Sequence, residues 1–206
     1  MFSGIIADIG NIKQASDRDG GLRLSIATGA LDMNDVQIGD SIAVNGVCLT
    51  VVANVGDGFV VDVSRETLDC TEGLDMIGLP LNLEKALRLA DRLDGHLVSG
   101  HVDGVGEVIE STDLGESRNL AARAPQALAK YIALKGSITI NGVSLTINQV
   151  TDNKAGGCEF SVNLVPHTLT MTNLKNLRAG SRANLEVDMI ARYVERILRV
   201  EKGLGK

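Results

Sequence analysis

The segment Ser41-Ile-Ala-Val-Asn-Gly-Val-Cys-Leu-Thr50 returns 96 residues later as Ser137-Ile-Thr-Ile-Asn-Gly-Val-Ser-Leu-Thr146, with seven of ten positions identical. The same offset sets Ser3-Gly4 against Ser99-Gly100 and Gly10 against Gly106, and pairs Ile5, Ile6, Ile9 and Ile12 with His101, Val102, Val105 and Val108. Beyond Thr50 the register shifts by five, aligning Phe59–Leu68 with Phe160–Leu169, and one further residue aligns Asn82-Leu-Glu84 with Asn184-Leu-Glu186. A repeat of this length restricts the fold to two copies of one small domain, each about 100 residues and able to bury a modest core.

The repeat divides the 206 residues into 1–96, a first domain with its connector at 89–95; 97–188, a second domain; and 189–206, a tail without counterpart. Within each half the segments are short, rich in Val, Ile and Thr, and punctuated by Gly, Asn and Asp, which predicts an all-β sandwich or barrel. One short helix per half is expected, at Ala30–Asp35 and Gln126–Leu134. The Asn-Gly pairs at 45–46 and 141–142 fit either hairpin tips or bulges. After Asp188, a helix N-cap candidate, Ile190, Val194 and Ile197 fall on one helical seam. Such a seam serves either oligomerisation or packing against its own domain.

Composition narrows the function classes. A net charge of -6 repels phosphates, so no nucleic-acid partner is expected. The three cysteines, Cys48, Cys70 and Cys158, are widely spaced with no Cys-x-x-Cys pair and no metal-like grouping, which reads as free thiols in a reducing cytoplasm. The N-terminus lacks the basic and long apolar regions of a secretory signal, and the most apolar run, Ile42–Val55, is too interrupted to span a membrane. Gly104-Val-Gly106 lacks the context of a dinucleotide-binding loop. With no Trp, two Tyr and three Phe, the chain has little with which to cage a planar ligand.

Met1-Phe-Ser-Gly-Ile-Ile6, the two Asn-Gly-Val-Cys/Ser-Leu-Thr segments and Gly95-His-Leu-Val-Ser-Gly-His-Val-Asp103 together resemble the α-chain type of riboflavin synthase, along the whole chain. The resemblance implies two tandem six-stranded Greek-key β-barrels and a C-terminal α-helix that trimerises the chain. It also implies sites between the first barrel of one subunit and the second of its neighbour. The implied reaction is a transferase step: two molecules of 6,7-dimethyl-8-ribityllumazine dismutate, by four-carbon transfer, into riboflavin and 5-amino-6-(ribitylamino)uracil. No cofactor and no metal are expected, and lumazine synthase is a partner to be tested. The alternative is a non-catalytic lumazine- or flavin-binding protein; a flavin module of a reductase lacks room for its nicotinamide domain.

By motif position the resemblance marks Ser41, Cys48, His101, Ser144, Thr146 and Asp188 as catalytic. The chemistry needs a base for the 7-methyl proton of one lumazine and a nucleophile at C7 of the other. Binding carries over onto Gly4, Ile5 and Ile6; Cys48, Leu49 and Thr50; Asp62, Val63, Ser64, Arg65, Glu66 and Thr67; and Gly100, His101, Val102 and Asp103. It continues onto Lys135; Ser144, Leu145 and Thr146; and Asn163, Leu164, Val165, Pro166, His167 and Thr168. His167 departs from the pattern, which has Glu before that Thr, as Glu66 is in the first half. On composition alone Cys48 is a buried small hydrophobe, the hydroxyls satisfy neighbouring backbone, and Asp188 is a cap. His96 is set aside as a turn or surface residue.

Overall fold

The computed structural model describes residues 1–153, 156–201 and 203. Six strands, β1 (Asp8–Arg18), β2 (Gly21–Ala27), β3 (Ser41–Val44), β4 (Val47–Val55), β5 (Gly58–Val63) and β6 (Pro80–Lys85), close into a barrel in the order β1-β2-β5-β4-β3-β6. A second six, β7 (Gly104–Leu114), β8 (Ser117–Ala124), β9 (Ser137–Ile140), β10 (Val143–Asp152), β11 (Cys158–Leu164) and β12 (Arg182–Val187), close in the same order. All pairings are antiparallel and the path is a Greek key, as the resemblance implied.

Alternation builds each barrel. Val47, Leu49 and Val51 point inward while Cys48 and Thr50 point out; Val143, Leu145 and Ile147 repeat the pattern around Ser144 and Thr146. The pleat thereby puts the residues that differ between the repeats, Cys48 and Ser144, on the outer face. Bulges recur at matching places: between Ile12 and Gln14 and between Val51 and Ala53 in the first barrel, between Val108 and Glu110 and between Ile147 and Gln149 in the second. Phe59 and Phe160 fill equivalent places in two separate cores. The five-residue shift in the repeat falls at the hairpin after β4: the second copy is longer by three at the tip, 153–157 against 56–57, and by one in each flanking strand, with 154–155 outside the described residues.

Both Asn-Gly pairs are hairpin tips, with φ +51° and +85° at Asn45 and Gly46 and +49° and +80° at Asn141 and Gly142. The two tips meet: Asn82 Nδ2 donates to Asn141 O and Asn184 Nδ2 to Asn45 O, both at 2.9 Å, which marks a pseudo-twofold axis between the barrels.

Helices differ from expectation. Residues 30–35 are not helical: the Asp8 carboxylate collects the successive amides of Gly29, Ala30 and Leu31 at 2.6–3.0 Å, and Asp32 turns back onto the Asn34 amide. Helix α2 spans only Gln126–Ala129, and the chain then turns toward Lys135 at φ +65°. Two helices not expected from the sequence, α1 (Arg65–Cys70) and α3 (Pro166–Met171), follow the last outer strand of each core hairpin. The tail forms α4 (Met189–Glu201), capped where Asp188 Oδ1 accepts from the Ile190 amide at 2.8 Å. Arg192 and Glu195 tie α4 to its own chain at Asp103 and Lys130. Its apolar seam stays open, with Ile190 64%, Val194 50% and Ile197 58% exposed. No described helix is long and apolar enough to cross a membrane.

Candidate active site

The segments before β1 and β7 cross between barrels. Phe2 and Val98 pair with each other on the pseudo-axis through two backbone hydrogen bonds of 2.8 and 3.0 Å. Past that point each segment is held by its own barrel and covers the other. Glu84 accepts from Ser3 N, Ser3 Oγ and Gly4 N at 2.6, 2.7 and 3.0 Å; Glu186 accepts from Ser99 N, Ser99 Oγ and Gly100 N at 2.7, 2.7 and 2.9 Å. Gly4 O then takes the Ser144 amide, and Gly100 O takes the Cys48 amide, both at 2.8 Å. Ile6 enters the core of the second barrel and Val102 packs against that of the first.

Glycine is required at both crossings. Gly4 and Gly100 share φ +76°, and a Cβ on either would lie 2.6 Å from the Cβ of Ser144 or Cys48. The backbone therefore lies directly on the two residues that differ between the repeats.

The crossing sorts the expected residues into two matching clusters. On the first barrel, Cys48 to Thr50 lie on β4 beside the crossing at Gly100, Asp62 and Val63 on the neighbouring β5, and Ser64 to Thr67 where β5 runs into α1. On the second barrel, Ser144 to Thr146 lie on β10 beside the crossing at Gly4, Asn163 and Leu164 on the neighbouring β11, and Val165 to Thr168 where β11 runs into α3. Leu49, Val63, Leu145 and Leu164 turn their side chains into the cores, so only their backbones remain for a ligand. Thr50, Glu66, His101, Thr146, Asn163 and His167 are exposed, leaving both clusters open on one side.

The clusters share shape but not chemistry. Arg23 grips both oxygens of Asp62 at 2.7 and 2.8 Å, with Arg18 also within 3.5 Å, and these contacts hold the Asp62 carboxyl below its ordinary pKa. The equivalent strand pair in the second barrel is neutral, Asn163 against Asn119. Ser64 caps α1 by accepting the Thr67 amide, whereas α3 begins with Val165 and Pro166, which have no side-chain cap. His167 occupies the first turn of α3 where Glu66 occupies that of α1.

Ser41 lies opposite Thr50 across β3 and β4. With Ile5 it lines a cavity of about 640 Å³, which runs toward Lys85 and Arg88 and takes in none of the other expected residues. Lys135 sits in the turn before β9, where its amide donates to Ile147 O at 2.8 Å and its Nζ to Asn148 Oδ1 at 3.1 Å, just past Thr146 on β10. Asp103 accepts from the Val187 amide and from Arg192, both at 2.8 Å, and its partly buried carboxyl is nonetheless raised by burial. Arg192 also donates to His101 O at 3.2 Å, linking α4 to the first cluster.

Three groups escaped the sequence reading. Glu84 and Glu186 are the buried anchors of the crossings; their alignment in the repeat was the available signal. Burial pushes the Glu84 carboxyl upward, against its three hydrogen bonds. The third is His96, whose Nδ1 lies 2.7 Å from Ser144 Oγ; nothing in the repeat pointed to it, since it stands in the connector. Among the described residues no group of three or more His, Cys, Asp or Glu is placed to hold a metal ion.

Two duplicated barrels, each presenting an outward cluster beneath a strand segment from the other, define a tandem-barrel ligand-binding protein. The Lumazine binding domain model matches residues 3–86 and again 99–188. The riboflavin synthase of Photobacterium phosphoreum is 45% identical over 98% of this chain and 91% of that protein. That of Brucella abortus (strain 2308) is 41% identical over 98% of this chain and 100% of that protein. The crystal structure of LumP complexed with 6,7-dimethyl-8-(1'-D-ribityl) lumazine superposes with a TM-score of 0.79 at 28% identity, covering 91% of this chain and 99% of LumP. The chain belongs to the riboflavin synthase family of lumazine-binding tandem barrels.

Proposed function

We propose that this chain is a riboflavin synthase that dismutates two molecules of 6,7-dimethyl-8-ribityllumazine into riboflavin and 5-amino-6-(ribitylamino)uracil. The observation that carries the reading is the reciprocal crossing: it makes two clusters of one shape whose reactive positions differ, Cys48 under Gly100 and Ser144 under Gly4. A dismutation needs two sites for one compound with different groups in each. The two products together contain every atom of the two substrates, so the reaction balances without an external oxidant or reductant.

In this reading the pyrimidinedione edge meets the strand backbones and Thr50 or Thr146, while the ribityl chain reaches Asp62 or Asn163. Loss of a proton from the 7-methyl group of one lumazine leaves a carbanion delocalised into its ring. Addition of a nucleophile to C7 of the other prepares that ring to give up its four carbons. His101, Cys48, Ser144 and Thr146 supply the proton transfers and the addition. Ser41 and Asp188 flank them. Holding the two flat rings in contact supplies the effective concentration that a bimolecular step lacks in water.

Both clusters are open on one face, and we infer that they close against each other between subunits of a homotrimer assembled through the exposed Ile190, Val194 and Ile197 seam. Sedimentation of the intact chain is expected to give a trimer, and Ile197→Glu a smaller species; a wild-type monomer would remove the shared site.

Cys48→Ser is expected to lower turnover of the lumazine about tenfold or more while retaining lumazine binding, since a hydroxyl is the poorer nucleophile near neutral pH. Unchanged turnover would remove Cys48 from the chemistry. Tight lumazine binding with no riboflavin from the wild type would instead support a non-catalytic carrier, the reading favoured by the likeness to LumP.

A further inference from the structure

The connector that follows β6 makes a contact that has no equivalent in the second half, where the chain passes straight from β12 into α4. Gly95 leaves no space between the connector and the second barrel: a Cβ there would lie 2.1 Å from Ser3 O and 3.0 Å from Ser144 Oγ. The next amide, His96 N, donates to Ser3 O at 3.1 Å. The backbone thus fixes the imidazole over Ser144, with Nδ1 at 2.7 Å from Oγ, while Nε2 is enclosed with no hydrogen-bond partner among the described residues. Among the described residues no histidine makes the equivalent contact with Cys48.

An imidazolium here would carry an N–H with nowhere to donate, so the ring is held neutral, with one donor and one acceptor. Burial lowers the His96 pKa from its ordinary value, and the nearby charges of Asp188 and Glu186 oppose that shift without reversing it. The proton of the neutral ring therefore sits on Nδ1, the nitrogen that has a partner, and Nδ1 donates to Ser144 Oγ.

We propose that His96 is a positioning residue for the second-barrel site: Nδ1–H donates to Ser144 Oγ and fixes the hydroxyl so that its own proton is directed toward the bound lumazine, an assignment that rests on reading this cluster as a lumazine site. The two pseudo-equivalent sites are then distinguished by the connector as well as by Cys48 and Ser144. The first site has a thiol without a histidine, the second a hydroxyl oriented by one.

The test compares His96→Ala, His96→Asn and wild type. His96→Ala is expected to lower kcat about 10- to 100-fold, the range of one hydrogen bond to a functional group, with KM changed far less. Asn, whose Nδ2 can donate in place of Nδ1, is expected to recover most of that loss. Wild-type kcat is expected to fall on the acid side as His96 protonates below its ordinary value near 6.5 and gains a buried Nε2–H with no partner, and His96→Ala to lack that limb. Equal kcat in His96→Ala, or an Asn variant no better than Ala, overturns the assignment. A readout independent of turnover is the ¹⁵N spectrum of the imidazoles: Ser144→Ala should shift His96 Nδ1 and change its tautomer balance. An unchanged His96 spectrum overturns the pairing by itself, whereas a shifted spectrum in a protein without turnover upholds the pairing and counts only against the synthase reading.

Discussion

Gly46→Ala is expected to destabilise the chain by about 3 kcal/mol or more, from a left-handed backbone forced on a Cβ and a steric overlap that no side chain can relieve. Gly46 sits at φ +85°, and its Cβ would lie 2.7 Å from the Gly142 amide nitrogen of the opposing hairpin tip. The backbone it meets is fixed by the Asn82 and Asn184 hydrogen bonds, so relief requires the barrels to separate along the pseudo-axis. Gly142→Ala should behave alike, its Cβ 2.8 Å from Gly46 N. Gly56 is the control: also at positive φ, it has nothing within 4 Å of a Cβ, so Ala there should cost only about 1 kcal/mol. Urea unfolding of the three variants checks the order; equal losses at Gly46 and Gly56 would mean that the tips are not in contact.

The second large effect is expected at Glu186. Alanine removes the acceptor for Ser99 N, Ser99 Oγ and Gly100 N in a buried place where Glu186 is only 2% exposed, which costs about 3 kcal/mol or more. The effect on the site should be local. The segment Gly100 to Asp103 forms one wall of the first cluster, so lumazine affinity there should fall while the second cluster keeps its ligand. Glu84→Ala should reverse the pattern, because Glu84 anchors Gly4 over Ser144. Titration of each variant with the lumazine, followed by fluorescence, separates the two cases. Equal loss at both sites from either variant would contradict the crossing as the support of individual sites.

The duplication was legible because the outward and inward alternation of β4 and β10 is written in the same ten residues twice. What each segment packs against was not. Aligning Ser3-Gly4 with Ser99-Gly100 shows that they are equivalent, but equivalence holds equally whether each covers its own barrel or the other. The exchange is decided by Ile6 and Val102 choosing the opposite cores, a contact distant in sequence. Residues 30–35 take their course from the Asp8 carboxylate, more than twenty positions away, which holds the amides of Gly29, Ala30 and Leu31; a contact that distant leaves no mark on the local pattern. The six-residue helices α1 and α3 are too short to show a periodicity. His96 was passed over for the same reason that makes it distinctive: it lies in the connector, where no second copy exists for comparison. The open seam of α4 follows directly from Ile190, Val194 and Ile197, whereas its tethers at Asp103 and Lys130 join residues that no spacing rule relates.

The central claim is that two lumazines react with each other across two unlike sites. The most direct test is to incubate the purified chain with 6,7-dimethyl-8-ribityllumazine alone, without added cofactor, and quantify all three compounds by chromatography. One riboflavin and one 5-amino-6-(ribitylamino)uracil for every two lumazines consumed is the predicted result; bound lumazine recovered unchanged, or riboflavin in any other ratio, would contradict it.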